Sequence, residues 1–141
     1  MSAFVAQLDV EVAKSLHDAE LIAICWIAER DLRLDMRSQR QEFALLLVNV
    51  SILRVVDFGR QNVISHVWHS GDHLASDDFL REGLDWATST TDSRSYLREE
   101  KAADLISSIR SSQKAMIGIV PSVGAELVAV CERLEVCRRG A

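Results

Sequence analysis

Leu32-Arg33-Leu34-Asp35-Met36-Arg37 alternates apolar and charged residues without a break. Side chains of a strand point to opposite faces in turn, so this period of two puts Leu32, Leu34 and Met36 on a buried face and the charges on the other. Working outward, both neighbouring segments are apolar at either parity: Leu21-Ile22-Ala23-Ile24-Cys25-Trp26 before it and Phe43-Ala44-Leu45-Leu46-Leu47-Val48 after it. Strands of that kind belong at the centre of a sheet or are covered on both faces, which makes Cys25 a core residue. Ala28-Glu29-Arg30-Asp31 and Ser38-Gln39-Arg40-Gln41 are polar breaks of hairpin length. Residues 52–58 and 61–68, parted at Gly59, read as further strands and extend the run to a meander of four or five.

On the N-terminal side, Phe4, Leu8, Val12 and Leu16 recur at every fourth position, which predicts a helix over residues 2–16 with Ser2 as its N-cap. On the C-terminal side, the polar stretch 69–78 ends the meander. Leu80, Leu84 and Ala87 share one face of a helix over 78–87, started near Asp77, in which Gly83 costs about 1 kcal/mol relative to alanine. Residues 88–95 are rich in Ser and Thr and read as a mobile loop. A second helix over 96–110 carries Glu99, Glu100 and Asp104 early and Arg110 late, as the helix dipole prefers, with Leu105, Ile106 and Ile109 facing inward. Lys114 to Val120 is a strand, Pro121-Ser122-Val123-Gly124 a turn, and Ala125 to Cys137 a longer returning strand. The whole reads as an α+β fold. One domain over residues 1–141 has an antiparallel sheet of six or seven strands, with the N-terminal helix and two later helices packed on it.

Composition bounds the function. The formal charge is −5, from 16 basic and 21 acidic residues, and no basic stripe is present to neutralise phosphates, so nucleic acid is not an expected partner. No apolar run approaches the length of a membrane span and no signal peptide is evident, which leads to the expectation of a cytoplasmic protein. Cys25, Cys131 and Cys137 show no CxxC spacing and read as reduced thiols in apolar segments.

Several groupings invite chemistry. His66, His69 and His73 fall close together beside Asp72, Asp77 and Asp78, and imidazole with carboxylate is a zinc donor set. Gly71 and the strand before it argue against the helix that would align those offsets, so the main reading is a solvated loop, with a small metal-dependent enzyme or metal-binding protein as its rival. No cofactor is expected under the main reading. His17-Asp18 reads as a backbone cap at a helix–strand junction, with an oriented general base as the alternative. Neither a GxSxG elbow nor a glycine-rich phosphate loop is present.

The aromatics point elsewhere. Trp26, Trp68, Trp86 and Tyr96 lie in separate elements, and strand alternation places Trp68 with Ile64 and His66, opposite Val63 and Val67. Tryptophan and tyrosine are favoured interface anchors. Trp68, Asp72, Trp86 and Tyr96 are therefore the candidate binding residues, and binding is the expected role in preference to catalysis.

Leu16-His17-Asp18-Ala19-Glu20-Leu21 leads into a strand, and Leu53-Arg54-Val55-Val56-Asp57-Phe58 is followed closely by Gln61-Asn62-Val63-Ile64. Over residues 16–68 this order resembles a group of small bacterial β-rich proteins, some of them assigned as immunity proteins of polymorphic toxin systems. The resemblance implies a protein that binds and blocks a cognate toxin without catalysis, and the acidic balance suits a basic toxin as that partner. A self-associating structural module is a third reading, because exposed sheet edges invite strand addition and a homo-oligomer.

Overall fold

The computed structural model describes residues 3–7, 10–39, 41–71, 75–91 and 94–139. The first half runs β1 (Ala3–Gln7), α1 (Val10–Ser15), β2 (Glu20–Trp26), β3 (Leu32–Ser38), β4 (Gln41–Val48), β5 (Ile52–Val56) and β6 (Val63–His69). The second half runs α2 (Asp77–Ala87), β7 (Ser89–Thr91), β8 (Arg94–Ser95), α3 (Glu99–Arg110), β9 (Ala115–Val123), β10 (Glu126–Cys131) and β11 (Arg133–Arg139).

The alternation in β3 is realised: Leu32, Leu34 and Met36 are buried, and Leu34 pairs with Ile24 on one side and Leu45 on the other. Among the described residues, nine strands form one antiparallel sheet in the order β1-β11-β4-β3-β2-β6-β9-β10-β5. That order closes on itself. Strands β4 and β5 are one chain run interrupted at residues 49–51, and β10 and β11 are one run interrupted at Glu132. Since β11 pairs with β4 and β10 with β5, the two runs lie side by side along their length. The ring is therefore β2, β3, β4–β5, β10–β11, β9, β6 and back to β2. The runs β2, β3, β4–β5 and β6, consecutive in the chain, follow Greek-key order, because β6 returns beside β2.

Each interruption inserts residues where the runs bend. Asn49 has a φ of 54°, its amide N–H donates to the Asp31 carboxylate at 2.9 Å, and its side-chain amide donates to Glu132 at 3.3 Å. Glu132 N–H in turn donates to the Val48 carbonyl at 2.8 Å. The extra residue at Glu132 flips side-chain parity, so Leu127, Ala129 and Cys131 face inward before it and Val136 after it.

The narrowest join in the ring is between β2 and β6. It is carried by the Glu20↔Val63 pair and by three backbone bonds of 2.8 Å: Leu21 N–H to the Asn62 carbonyl, Ile64 N–H to that of Ala19, and Asp18 N–H to that of Ile64. Asn62, only 3% exposed, ties this join to the β9–β10 turn. Its Oδ1 accepts from Gly59 N–H at 2.9 Å and Ala125 N–H at 3.1 Å, while Nδ2 donates to the Gly59 and Leu21 carbonyls at 2.9 and 3.4 Å.

Two apolar clusters result. The interior of the ring holds Leu21, Leu32, Leu34, Leu45, Leu47, Ile64, Ile117, Ile119 and Leu127, with Val12 and Leu16 brought in by α1 and the residue after it. Outside it, Leu80 and Leu84 of α2 and Leu105 and Ile109 of α3 pack on Met116, Val128 and Val130 of β9 and β10. Ser76 caps α2, with Phe79 N–H donating to its hydroxyl at 3.1 Å. Arg81 grips Glu99 with two bonds of 2.7 and 2.6 Å, and Arg110 reaches Asp77 at 2.7 Å, so the two helices are fastened to each other. The Arg81 pair lowers the carboxyl pKa of Glu99, but the pair lies in solvent and adds little to stability.

The α+β class with an antiparallel sheet is as the sequence implies, and several finer expectations are corrected. Residues 3–7 form β1 on the edge of β11, so among the described residues of the expected N-terminal helix only Val10–Ser15 is helical. A stripe at every fourth residue also falls on one parity of a strand, and pairing with β11 decides between them. The sheet has nine strands in place of six or seven, because β1 joins it and the last strand divides at Glu132. The meander stops at β4, since β5 and β6 pair elsewhere. Pro121 lies within β9, at an irregular point of the ladder opposite Ile64 where its missing N–H is tolerated, and the turn is made at Gly124 with φ 87°. In place of a loop at 88–95, β7 and β8 pair as a short ribbon.

Candidate functional site

The expected anchors are mostly built into the second cluster. Trp68 stands on the outer face of β6 over Gly118, meets Phe79 edge-on at 4.9 Å between centroids, and packs against the α2 cluster. It shares that face with exposed His66, whereas Ile64 faces inward because the ladder shifts register between them. Trp86 packs against the same cluster beneath Arg54, whose guanidinium lies 4.3 Å from the ring centroid and donates to the Trp86 carbonyl at 2.8 Å. Tyr96 is 67% exposed, tethered through its N–H to the Thr88 carbonyl at 3.1 Å. Asp72 and His73 lie outside the described residues.

Of the expected histidine cluster, His66 and His69 do not converge. His66 is exposed on the outer face of β6 and His69 is buried with the opposite parity, so one ion cannot take both rings. Among the described residues no group of three or more His, Cys, Asp and Glu is placed to hold a metal ion. Gly71 N–H donates to His69 Nδ1 at 3.2 Å, which leaves the ring proton of the neutral form on Nε2. His69 lines a cleft of about 220 Å³ with Ser70, Lys114, Glu132 and Arg133. Glu132 is engaged by Asn49, and Arg133 by Glu135 at 3.1 Å, so the charges of that cleft largely serve the fold. His17 donates from Nδ1 to the Ser65 carbonyl across the β2–β6 join and sits 3.6 Å from Asp18.

Cys131 pairs with Ala115 of this cleft and is fully buried. Burial pushes its thiol from 9.0 up to about 12, with nearby Lys114 pulling the other way. A thiol raised in the folded state favours folding below its unfolded value, and that contribution is lost as the pH climbs from 9.0 toward about 12. Native protein at about pH 8 is expected to leave Cys131 unlabelled by iodoacetamide while unfolded protein labels fully, and equal labelling of the two would contradict this.

The unexpected feature is β2. Its sequence requires cover on both faces, yet Ile22 is 43% exposed, Trp26 52% and the following Ile27 47%. One of its edges is also open. Ile27 N–H donates to the Asp31 carbonyl at 2.9 Å, which sets the phase of the β2–β3 ladder. Hydrogen-bonded pairs alternate in an antiparallel ladder, so Ala23 and Cys25 bond to Asp35 and Arg33. The N–H and C=O groups of Ile24 and Trp26 then point away from β3. Strand β6 leaves β2 at Glu20, and no other described strand reaches this edge. Cys25 sits here half-exposed rather than in the core, its thiol near the Trp26 carbonyl at 3.7 Å.

Ile22 and Ile27 were thus legible only as core residues, and Trp26 only as one aromatic among several. The signal that separates them is contextual: apolar parity on both faces in a strand followed at once by the polar bend Ala28-Glu29-Arg30. No known family model matches the chain, and no curated protein or solved structure is significantly similar to it.

Proposed function

We propose that this chain is a non-catalytic protein-binding domain that engages its partner through the open edge of β2. The observation that carries the reading is the conjunction at Ile22–Ile27 of exposed apolar side chains with the backbone groups of Ile24 and Trp26 directed away from β3. An unpaired apolar edge is a liability that folded proteins usually blunt with charge, proline or cover. Here no charge or proline lies between Leu21 and Ala28. Strand addition satisfies both features at once, since the main chain supplies the bonds and alternate side chains the selectivity. The ring holds the edge rigid through β3, so little ordering cost falls on this side of the contact.

The specific form of this proposal is an immunity-type inhibitor. Two of the three stretches that carry the resemblance, Leu16–Leu21 and Gln61–Ile64, lie side by side across the β2–β6 join, immediately below the open edge. The net charge of −5 suits a basic partner. The test compares capture from host lysate by the wild-type chain and by Trp26→Asp. A stoichiometric basic partner is expected on the wild type and should fall by roughly thirtyfold on the variant, the loss of one interface anchor. Equal recovery on both would refute the β2 edge as the binding surface.

A further inference from the structure

Resting on that reading of the β2 edge, we infer that in the absence of another partner the edge is capped by a second copy of this chain, paired antiparallel about a two-fold axis at Cys25. The backbone phase selects the register. Only Ile24 and Trp26 direct both N–H and C=O outward, so the pairing that uses all four groups sets Ile24 opposite Trp26 of the second copy. Each such pair exchanges two bonds, and symmetry makes two pairs.

The side chains agree with that register. The two-fold relates residues at equal distance from Cys25, placing Ile27 opposite Ala23, while Ile22 lies at the irregular point of the β2–β3 register, beyond this pairing. Two of the three exposed apolar residues of this segment, Trp26 and Ile27, thereby meet an apolar neighbour, with Trp26 beside Ile24 as a cross-strand aromatic and β-branched pair. The interface is isologous, as a closed dimer requires. It is also short, which puts the dimer in the weak, concentration-dependent class and leaves it displaceable by a partner strand.

Cys25 reports the register. In this pairing the two Cys25 residues face each other as a non-hydrogen-bonded pair, with Cα atoms about 4.5 Å apart, inside the span a disulfide bridges. The experiment treats the full chain at high concentration with diamide, which takes two electrons and two protons from the paired thiols as the S–S bond forms. Sedimentation equilibrium is run in parallel on reduced protein. A dimer cross-linked Cys25 to Cys25, with weight-average mass rising with concentration, is expected. Cys25→Ser should abolish the cross-link and keep the mass rise. Ile24→Pro should abolish both, because it removes an N–H aimed at the open edge and not one bonded to β3. Trp26→Asp, which leaves the backbone intact, should weaken the dimer at least tenfold.

A monomer at every concentration with no Cys25 cross-link overturns the dimer. If Trp26→Asp still loses the lysate partner in that case, the binding reading stands without it. If Trp26→Asp keeps every partner, both fall. A dimer that survives Ile24→Pro uses another surface and equally overturns the inference.

Discussion

Asn62→Ala is expected to cost about 3 kcal/mol and to lower the thermal midpoint by roughly 10 °C. The side chain is nearly inaccessible, and it fills both donor and both acceptor roles at one point: Gly59 N–H and C=O, Ala125 N–H and the Leu21 carbonyl. Truncation leaves those groups without partners in a place where water has little access, which is the costly direction of the hydrogen-bond asymmetry. The loss also falls at the narrowest join of the ring, so local opening between β2 and β6 should precede global unfolding. Amide exchange at Leu21 and Ile64, whose N–H groups cross the join, should accelerate more than at Leu34 in the middle of β3. Asn62→Asp separates geometry from donor chemistry. A carboxylate cannot donate to the Gly59 and Leu21 carbonyls, whereas a protonated acid can donate to one of them. Its folded pKa is therefore expected above the unfolded value, so the variant should recover stability as pH falls and lose it again as pH rises. Calorimetry of the three proteins checks this. A shift under about 1 kcal/mol for Asn62→Ala would mean that the join is held by β-pairing alone.

Gly118→Ala is the second large effect, expected near 3 kcal/mol. A Cβ built on Gly118 would lie 2.0 Å from Trp68 Cε2 and 2.2 Å from its Nε1, which no small adjustment relieves. The indole is seated directly on the backbone of β9, and its far edge faces Gly83 of α2, where a Cβ would stand 3.2 Å from Cη2. Trp68 thus fills a slot bounded by a glycine in the sheet and a glycine in the helix. Denaturant unfolding of Gly118→Ala, Trp68→Leu and the double variant gives the test. The double variant should be more stable than the sum of the single losses implies, by about 1–2 kcal/mol, because the smaller side chain vacates the position that alanine needs. Strict additivity would show that the clash is relieved elsewhere. Gly83→Ala should be much milder, since the closest atom, Met116 Cε at 2.7 Å, ends a flexible side chain and alanine recovers helix propensity.

These two glycines and Asn62 show where local sequence reading stops. Gly83 looks like a defect in an amphipathic helix until Trp68 is seen beside it. Asn62 looks like an ordinary turn residue because its partners at Leu21 and Ala125 are distant in sequence. His66, His69 and His73 suggest a cluster because three short offsets are close along the chain. A strand sends His66 and His69 to opposite faces, so closeness in sequence became separation in space.

Features that depend on a few neighbouring residues follow from the chain locally. Alternation in Leu32–Arg37 made β3 one-sided, the spacing of Leu80, Leu84 and Ala87 made the buried face of α2, and Gly124 ended β9 at a positive φ. Each of these is a short-range consequence of side-chain direction or backbone sterics. Tertiary structure alone decided which strands meet: that β1 forms against β11, that the runs β4–β5 and β10–β11 close the ring, and that β6 parts from β2 above Glu20. Strand pairing joins residues far apart in the chain, and an apolar segment carries the same pattern whether a neighbour covers it or not. For that reason Ile22-Ala23-Ile24-Cys25-Trp26 reads as core, and only the path of β6 turns it into an open edge.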